Sequence, residues 1–126
     1  IFVAAEVDAE AYQVLDGIKR GDEPSAYRAV HPFFGMPRAG QVFRGGSFYF
    51  PGARHFVTEV DTRTTPGRPI YWASWRSDLK NYDGEIESML EWLRPHLVDL
   101  GNDSADFFGY VRHENNRTPT LLFQED

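Results

Sequence analysis

The sequence has 126 residues and a formal net charge of −6, and this length predicts one domain over residues 1–126. Hydrophobic residues make up 41% of the chain and aromatic residues 15%, which excludes a disordered protein. Cysteine is absent, which excludes disulfides, thiolate nucleophiles and cysteine-based metal sites.

The first part of the chain predicts a strand and then an amphipathic helix. Residues 1–7 favour the strand, and Asp8 is a suitable N-cap for the helix. Four apolar residues follow with the spacing of one buried helical face: Ala11, Val14, Leu15 and Ile18. Gly21 ends this helix. A second short helical segment begins at Pro24 and stops before Pro32, because the residue preceding a proline avoids the helical region.

The middle of the chain predicts several strands. Glycine and proline divide its first part into short pieces, of which residues 41–44 and 47–50 favour strands. Residues 55–64 and 70–77 predict longer strands. The sequence Thr-Pro-Gly at 65–67 suits a tight turn, so these two strands should pair as an antiparallel hairpin.

The clearest helix is predicted after Asp83, which would be its N-cap. Five apolar residues lie on one face of this helix: Ile86, Met89, Leu90, Leu93 and Leu97. Pro95 would kink it or stop it. Residues 107–114 and 118–124 then predict a closing hairpin around two asparagines, which tolerate positive φ.

This order of elements predicts an α+β fold. Antiparallel hairpins dominate, and the helices are too few for repeated βαβ crossovers. We therefore expect one mainly antiparallel sheet, with one long amphipathic helix packed on a face and a shorter N-terminal helix.

No motif in the sequence predicts a reaction centre. The four histidines form no HxH or HxxxH pair that could hold a metal ion. Ser47 follows two glycines but lacks the GxSxG spacing of a nucleophile, and nucleotide-binding glycine motifs are absent. We therefore expect no catalytic residue, no metal, no cofactor and no enzymatic activity. No apolar run approaches the roughly 18–20 residues of a membrane span, so we expect no membrane partner. The absence of cysteine fits the cytosol, and we expect a cytoplasmic protein.

Charge is unevenly distributed along the chain. Residues 28–77 carry a net charge of +5 and residues 78–106 a net charge of −6. The first of these segments interleaves arginine with aromatic residues, as proteins that bind single-stranded nucleic acid do. The net acidity of the chain argues against that function, because such binding depends on neutralising phosphates. Binding of single-stranded nucleic acid therefore stays open as an alternative function.

Three stretches resemble small bacterial immunity proteins: residues 79–87 (LKNYDGEIE), 91–96 (EWLRPH) and 108–114 (FGYVRHE), with PTLL at 119–122. Proteins of that kind are cytosolic partners of polymorphic or contact-dependent toxins. They block the active site or an essential surface of the toxin without turnover. The resemblance implies a cognate toxin as the partner, and it transfers no catalytic residues.

A surface rich in acidic and aromatic residues suits a basic toxin, since charge complementarity raises the association rate. The candidate partner-binding residues are Tyr82, Asp83, Glu85, Glu87, Glu91, Arg112, His113 and Glu114. A different class of function stays open, namely a small enzyme or ligand-binding domain with a pocket between the sheet and the long helix. Its polar residues would be Arg112, His113 and Glu114.

Overall fold

A computed structural model describes residues 1–44, 55–64, 67–79, 81, 83–98, 107–113 and 117–124. The helices are α1 (Ala9–Lys19), α2 (Ala39–Arg44) and α3 (Glu85–Leu93). The strands are β1 (Phe2–Val7), β2 (His55–Asp61), β3 (Ile70–Arg76), β4 (Phe107–Val111) and β5 (Thr120–Phe123). Short 3-10 turns lie at Pro24–Tyr27, Pro32–Gly35 and Arg94–His96.

The five strands form one sheet in the order β2-β3-β1-β4-β5, and every neighbouring pair is antiparallel. The α+β class predicted from the sequence is therefore confirmed. Both predicted hairpins form, β2 with β3 and β4 with β5. The N-terminal strand lies at the centre of the sheet, between β3 and β4.

The two faces of the sheet differ in what covers them. One face packs against the helices, and we call it the core face. On this face Val3 of β1 lies opposite Trp75 of β3, and both side chains are fully buried. Helix α1 is tied to the same face by Thr58 of β2, whose Oγ1 donates to Asp16 Oδ1 at 2.8 Å. The opposite face carries the alternate residues of each strand, since successive side chains point to opposite sides, and we call it the open face.

A bulge in β4 reverses the side-chain alternation near its start. The register shifts between Phe107 and Gly109, which leaves Phe108 as the extra residue. Phe108 is buried on the core side, where the Arg94 guanidinium lies 5.9 Å from its ring centre, whereas Phe107 is exposed. Gly109 is required here because a Cβ at this position would overlap the carbonyl oxygen of Phe2.

Helix α1 forms as the sequence predicts. Asp8 is the N-cap, and its side chain accepts from the Ala11 N–H at 2.9 Å. The four predicted apolar residues, Ala11, Val14, Leu15 and Ile18, are the buried ones. Gly21, with φ of 118°, follows the last turn, a conformation that glycine adopts at little cost.

Helix α3 is shorter than the single long helix that the sequence led us to expect. It has nine residues against eleven in α1, and it passes at Arg94 into a 3-10 turn that contains Pro95. Proline cannot donate the next helical hydrogen bond, which explains the early end. The predicted cap is also wrong, because Gly84 is the N-cap residue and Asn81 Oδ1 accepts from the Ile86 N–H at 3.1 Å.

Residues 41–44 were expected to form a strand, and the structure places them in α2. Ala39, Val42 and Phe43 are all buried, and their i, i+3, i+4 spacing is that of one helical face. Four residues are too few to reveal this period, so only packing against the core decides between helix and strand. The predicted strand 47–50 and the turn asparagines 115–116 lie outside the described residues.

Candidate protein-binding surfaces

An acidic row runs along the exposed side of α3 and consists of Asp83, Glu87 and Glu91. All three residues are exposed. Glu87 and Glu91 are one turn apart on the same side of the helix, and Asp83 directly precedes the N-cap residue Gly84. The Glu87 carboxylate accepts from Asn81 Nδ2 at 2.7 and 3.1 Å. Glu91 Oε1 lies 3.5 Å from His31 Nε2. Within the described residues no lysine or arginine forms an ion pair with this row, so its negative charge is available to a partner.

Glu85 was predicted to contact the partner, and the structure contradicts this. The residue is 1% exposed, and its Oε1 lies 3.6 Å from Arg38 Nη1. Its Oε2 accepts from the backbone N–H of Asp83 at 3.1 Å. The reason is the helical period, because Glu85 lies one turn before the fully buried Met89. Glu85 therefore stabilises the start of α3 as a buried residue, through its hydrogen bond with the Asp83 backbone.

The remaining predicted residues are described only in part. Arg112 and His113 directly follow β4 and are exposed. Among the described residues, no hydrogen bond joins His113 to the acidic row. Tyr82 and Glu114 lie outside the described residues, and their predicted role stays a prediction.

The open face is a second candidate surface, and its strands β2 and β3 belong to the segment 28–77 in which arginine and aromatic residues are interleaved along the sequence. Seven large hydrophobic side chains are exposed among the described residues. Five of them lie on this face: Val57, Trp72, Phe107, Tyr110 and Leu121. Exposed apolar patches of this kind are typical of interaction sites. Strand alternation in β3 was the available signal, since Trp72 and Trp75 must point to opposite faces.

One row of residues crosses all five strands of the open face. Its members, in strand order, are His55, Arg76, Phe2, Tyr110 and Leu121. The rings of Phe2 and Tyr110 stack with centroids 5.7 Å apart, and those of Phe2 and His55 with centroids 6.4 Å apart. His55 Nε2 also lies 2.7 Å from Ser74 Oγ. We call this set the aromatic row, and its stacked rings and strand pairing hold it in place.

A second row on the open face is acidic. Trp72 of β3 pairs with Glu59 of β2 on one side and with Glu6 of β1 on the other. Trp72 is 42% exposed. We call these three residues the carboxylate row. The open face is therefore divided, with Arg76 and His55 at one end of the strands and two carboxylates at the other.

A cavity of about 110 Å³ lies beside the carboxylate row, and Glu6 and Trp72 of that row are among its lining residues. It forms because β1 changes partner: Val3 pairs with β4, whereas Val7 bridges to Leu97. Apart from Glu6 and Gln124 its lining is hydrophobic, and the lining residues are Ala4, Ala5, Glu6, Trp72, Leu97, Val98, Phe107, Phe108 and Gln124. No residue of α3, and neither Arg112 nor His113, lines it. The cavity thus differs from the pocket expected between sheet and helix.

Two further properties of the described residues bear on function. No group of three or more metal-ligating side chains comes together in the described part of the chain. Within the same residues, no helix is long and apolar enough to cross a membrane.

Comparison of the chain with known protein families, with curated proteins and with solved structures finds no significant match. The described residues therefore offer two candidate interaction surfaces, the acidic row and the open face.

Proposed function

We propose that this protein is a non-enzymatic, cytoplasmic protein-binding domain. More concretely, we propose an immunity protein that binds and neutralises a cognate bacterial toxin. The acidic row is the observation that carries this proposal. The carboxylates of Glu87 and Glu91 project from a helix whose opposite side is buried, so these charges are presented at fixed positions. The same segment carries most of the resemblance to immunity proteins.

The acidic row would act through electrostatic complementarity. A toxin that cleaves nucleic acid needs a basic surface to hold phosphates. Carboxylates facing that surface would raise the association rate and disfavour partners of the wrong charge. Inhibition would follow from covering the basic surface, and no chemical step by the immunity protein is needed.

Co-expression with the product of the neighbouring gene tests the function itself. We expect the two proteins to co-purify, and we expect this chain to restore the growth of cells that express the toxin. Failure of both would contradict the proposal. A rescue by variants that fold but no longer bind would contradict the proposed mechanism.

Charge reversal tests the acidic row as the contact surface. We expect Glu87→Lys with Glu91→Lys to slow association about tenfold at low salt. The effect should shrink as the Debye length falls from about 30 Å at 0.01 M to about 10 Å at 0.1 M. Glu10→Lys with Glu23→Lys is the matched control, because it makes the same total charge change at two exposed acids outside the acidic row. Equal rates for all variants at both salt concentrations would show that the acidic row makes no contact.

The aromatic row favours a second candidate function, a single-stranded nucleic-acid binder. Stacked rings beside an arginine are typical of such surfaces. The carboxylate row argues against it, because Glu59 and Glu6 flank Trp72 and would repel the phosphates of a bound strand. Titration with a fluorescent oligonucleotide distinguishes the two functions, and we expect no salt-sensitive binding.

A further inference from the structure

We propose that the open face binds the open face of a second copy of this chain, in a two-fold arrangement. The helices cover the core face, whereas the open face carries most of the exposed large hydrophobic side chains of the described residues. Covering a hydrophobic face of this kind lowers the free energy, because it removes apolar surface from water. The distribution of charge and shape across the face indicates a second copy as the occupant.

Three parallel rows define the open face. The aromatic row carries Arg76, and the carboxylate row carries Trp72 between two acids. Between them lies a middle row in which Ser74 of β3 pairs with Val57 on one side and Ala4 on the other. Arg76 and Trp72 are four residues apart in one strand, which corresponds to about 13 Å. The middle row of smaller side chains lies halfway between them.

A two-fold axis over the middle row makes this face complementary to itself. The axis lies between two facing sheets, parallel to both and perpendicular to their strands. Rotation by 180° about it places each strand opposite the same strand of the other copy, running in the opposite direction. Arg76 of one copy then lies over Trp72 of the other, between the Glu59 and Glu6 carboxylates of that copy. A guanidinium in this position gains a cation–π contact and ion pairs. Symmetry produces the same contact twice.

The cavity supplies a second complementarity under the same axis. It lies between β1 and β4 on the side of the carboxylate row. The axis brings the stacked rings of Phe2 and Tyr110 from the other copy over its opening. The cavity volume of about 110 Å³ approaches the roughly 150 Å³ that holds a benzene ring in an apolar site. An aromatic ring inserted in a pocket is a common anchor of protein interfaces.

Other occupants fit the face less well because its two ends differ in charge. A uniformly basic partner would meet Arg76, and a nucleic acid would meet Glu59 and Glu6. A second copy brings Arg76 to the carboxylates of Glu59 and Glu6 at both ends of the face. This interface is separate from the acidic row, so one chain could dimerise and bind a toxin at the same time.

Sedimentation equilibrium over a range of protein concentrations tests the dimer. We expect the wild-type chain to dimerise. We expect Arg76→Glu to raise the dimer dissociation constant at least about 30-fold, as the loss of a desolvated charge pair does. The chain with both Glu59→Arg and Glu6→Arg should be impaired to a similar extent. Arg28→Glu is the matched control, because it makes the same charge change at an exposed site outside the sheet, and it should leave the dimer unchanged.

Mixing the two impaired variants is the decisive step. In the mixed pair one contact is native and the other has both charges exchanged, so we expect a heterodimer from two variants that do not self-associate. Circular dichroism of each variant checks that it folds. A wild-type chain that stays monomeric up to about 1 mM, or a mixture that fails to associate, would overturn the proposal. The Glu87→Lys and Glu91→Lys changes should not affect the dimer, which separates this test from that of the proposed function.

Discussion

Replacing Glu85 with alanine should destabilise the fold and leave partner contacts unchanged. Glu85 is 1% exposed and pairs with Arg38, whose side chain is 23% exposed. Breaking a buried ion pair costs about 3–5 kcal/mol when the remaining charge is left without compensation. Here the Arg38 side chain stays partly exposed to solvent and donates to Gln41 Oε1 at 3.0 Å. These contacts compensate part of its charge, so the cost should lie at the lower end of that range. Glu85 Oε1 also has no hydrogen-bond partner among the described residues, so its burial already carries a penalty. We expect a net loss of about 2–3 kcal/mol.

Urea unfolding of a double-mutant cycle measures this value. Glu85→Gln should lose only about 1 kcal/mol, because its amide oxygen still accepts from the Asp83 N–H while the charge is removed. Combining Glu85→Ala with Arg38→Met should give a coupling energy of about 1–2 kcal/mol, since the two groups interact directly.

The reasoning would be refuted by additive losses in the cycle, or by a cost of Glu85→Ala below about 0.5 kcal/mol. A variant that unfolds normally but binds the toxin poorly would restore Glu85 as a contact residue. Glu91→Ala is a suitable comparison, because its carboxylate is exposed and pairs only with a histidine among the described residues. It should change stability by less than about 0.5 kcal/mol.

Two further predictions concern the interior and the response to pH. Leu93→Ala should cost about 2–5 kcal/mol in urea unfolding, since Leu93 is fully buried; losses below about 0.5 kcal/mol at both Leu93 and Leu90 would mean that the buried side of α3 is misplaced. The Tyr27 hydroxyl donates to Asp22 Oδ2 at 2.6 Å, and this hydrogen bond, with burial as a second cause, raises the pKa of Tyr27 to about 12. Its stabilisation should be complete below about pH 10 and disappear between about pH 10 and 12. The stability difference between wild type and Tyr27→Phe should follow that curve, and a difference independent of pH would contradict the hydrogen bond.

The local elements were predictable wherever several residues pointed to the same structure. Asp8, the apolar spacing and Gly21 all indicate α1, and the structure has that helix with that cap. The hairpins of β2 with β3 and of β4 with β5 were likewise predictable, because turn residues separate two strand-forming segments. Helix α2 was not predictable, since its six residues are too few for a clear period and its burial depends on distant elements.

The candidate site was predictable only as far as charge and helical spacing determine it. Glu87 and Glu91 are one turn apart and both lie outside, as their spacing predicts. Glu85 carries the same carboxylate and lies inside, because Arg38, 47 positions earlier in the chain, provides a partner there. No local pattern in residues 83–91 contains that information.

The amino-acid sequence by itself determined the α+β class, the capped helix α1 and the two hairpins, since these depend on neighbouring residues. Tertiary structure decided which face of the sheet the helices cover. Both faces of β3 carry a tryptophan, and only the packing of the helices buries Trp75 and leaves Trp72 in solvent. It also decided the central place of β1, whose partners β3 and β4 lie about 70 and 105 positions away. Pairing over such distances depends on burying a shared hydrophobic core, and a local pattern does not record it.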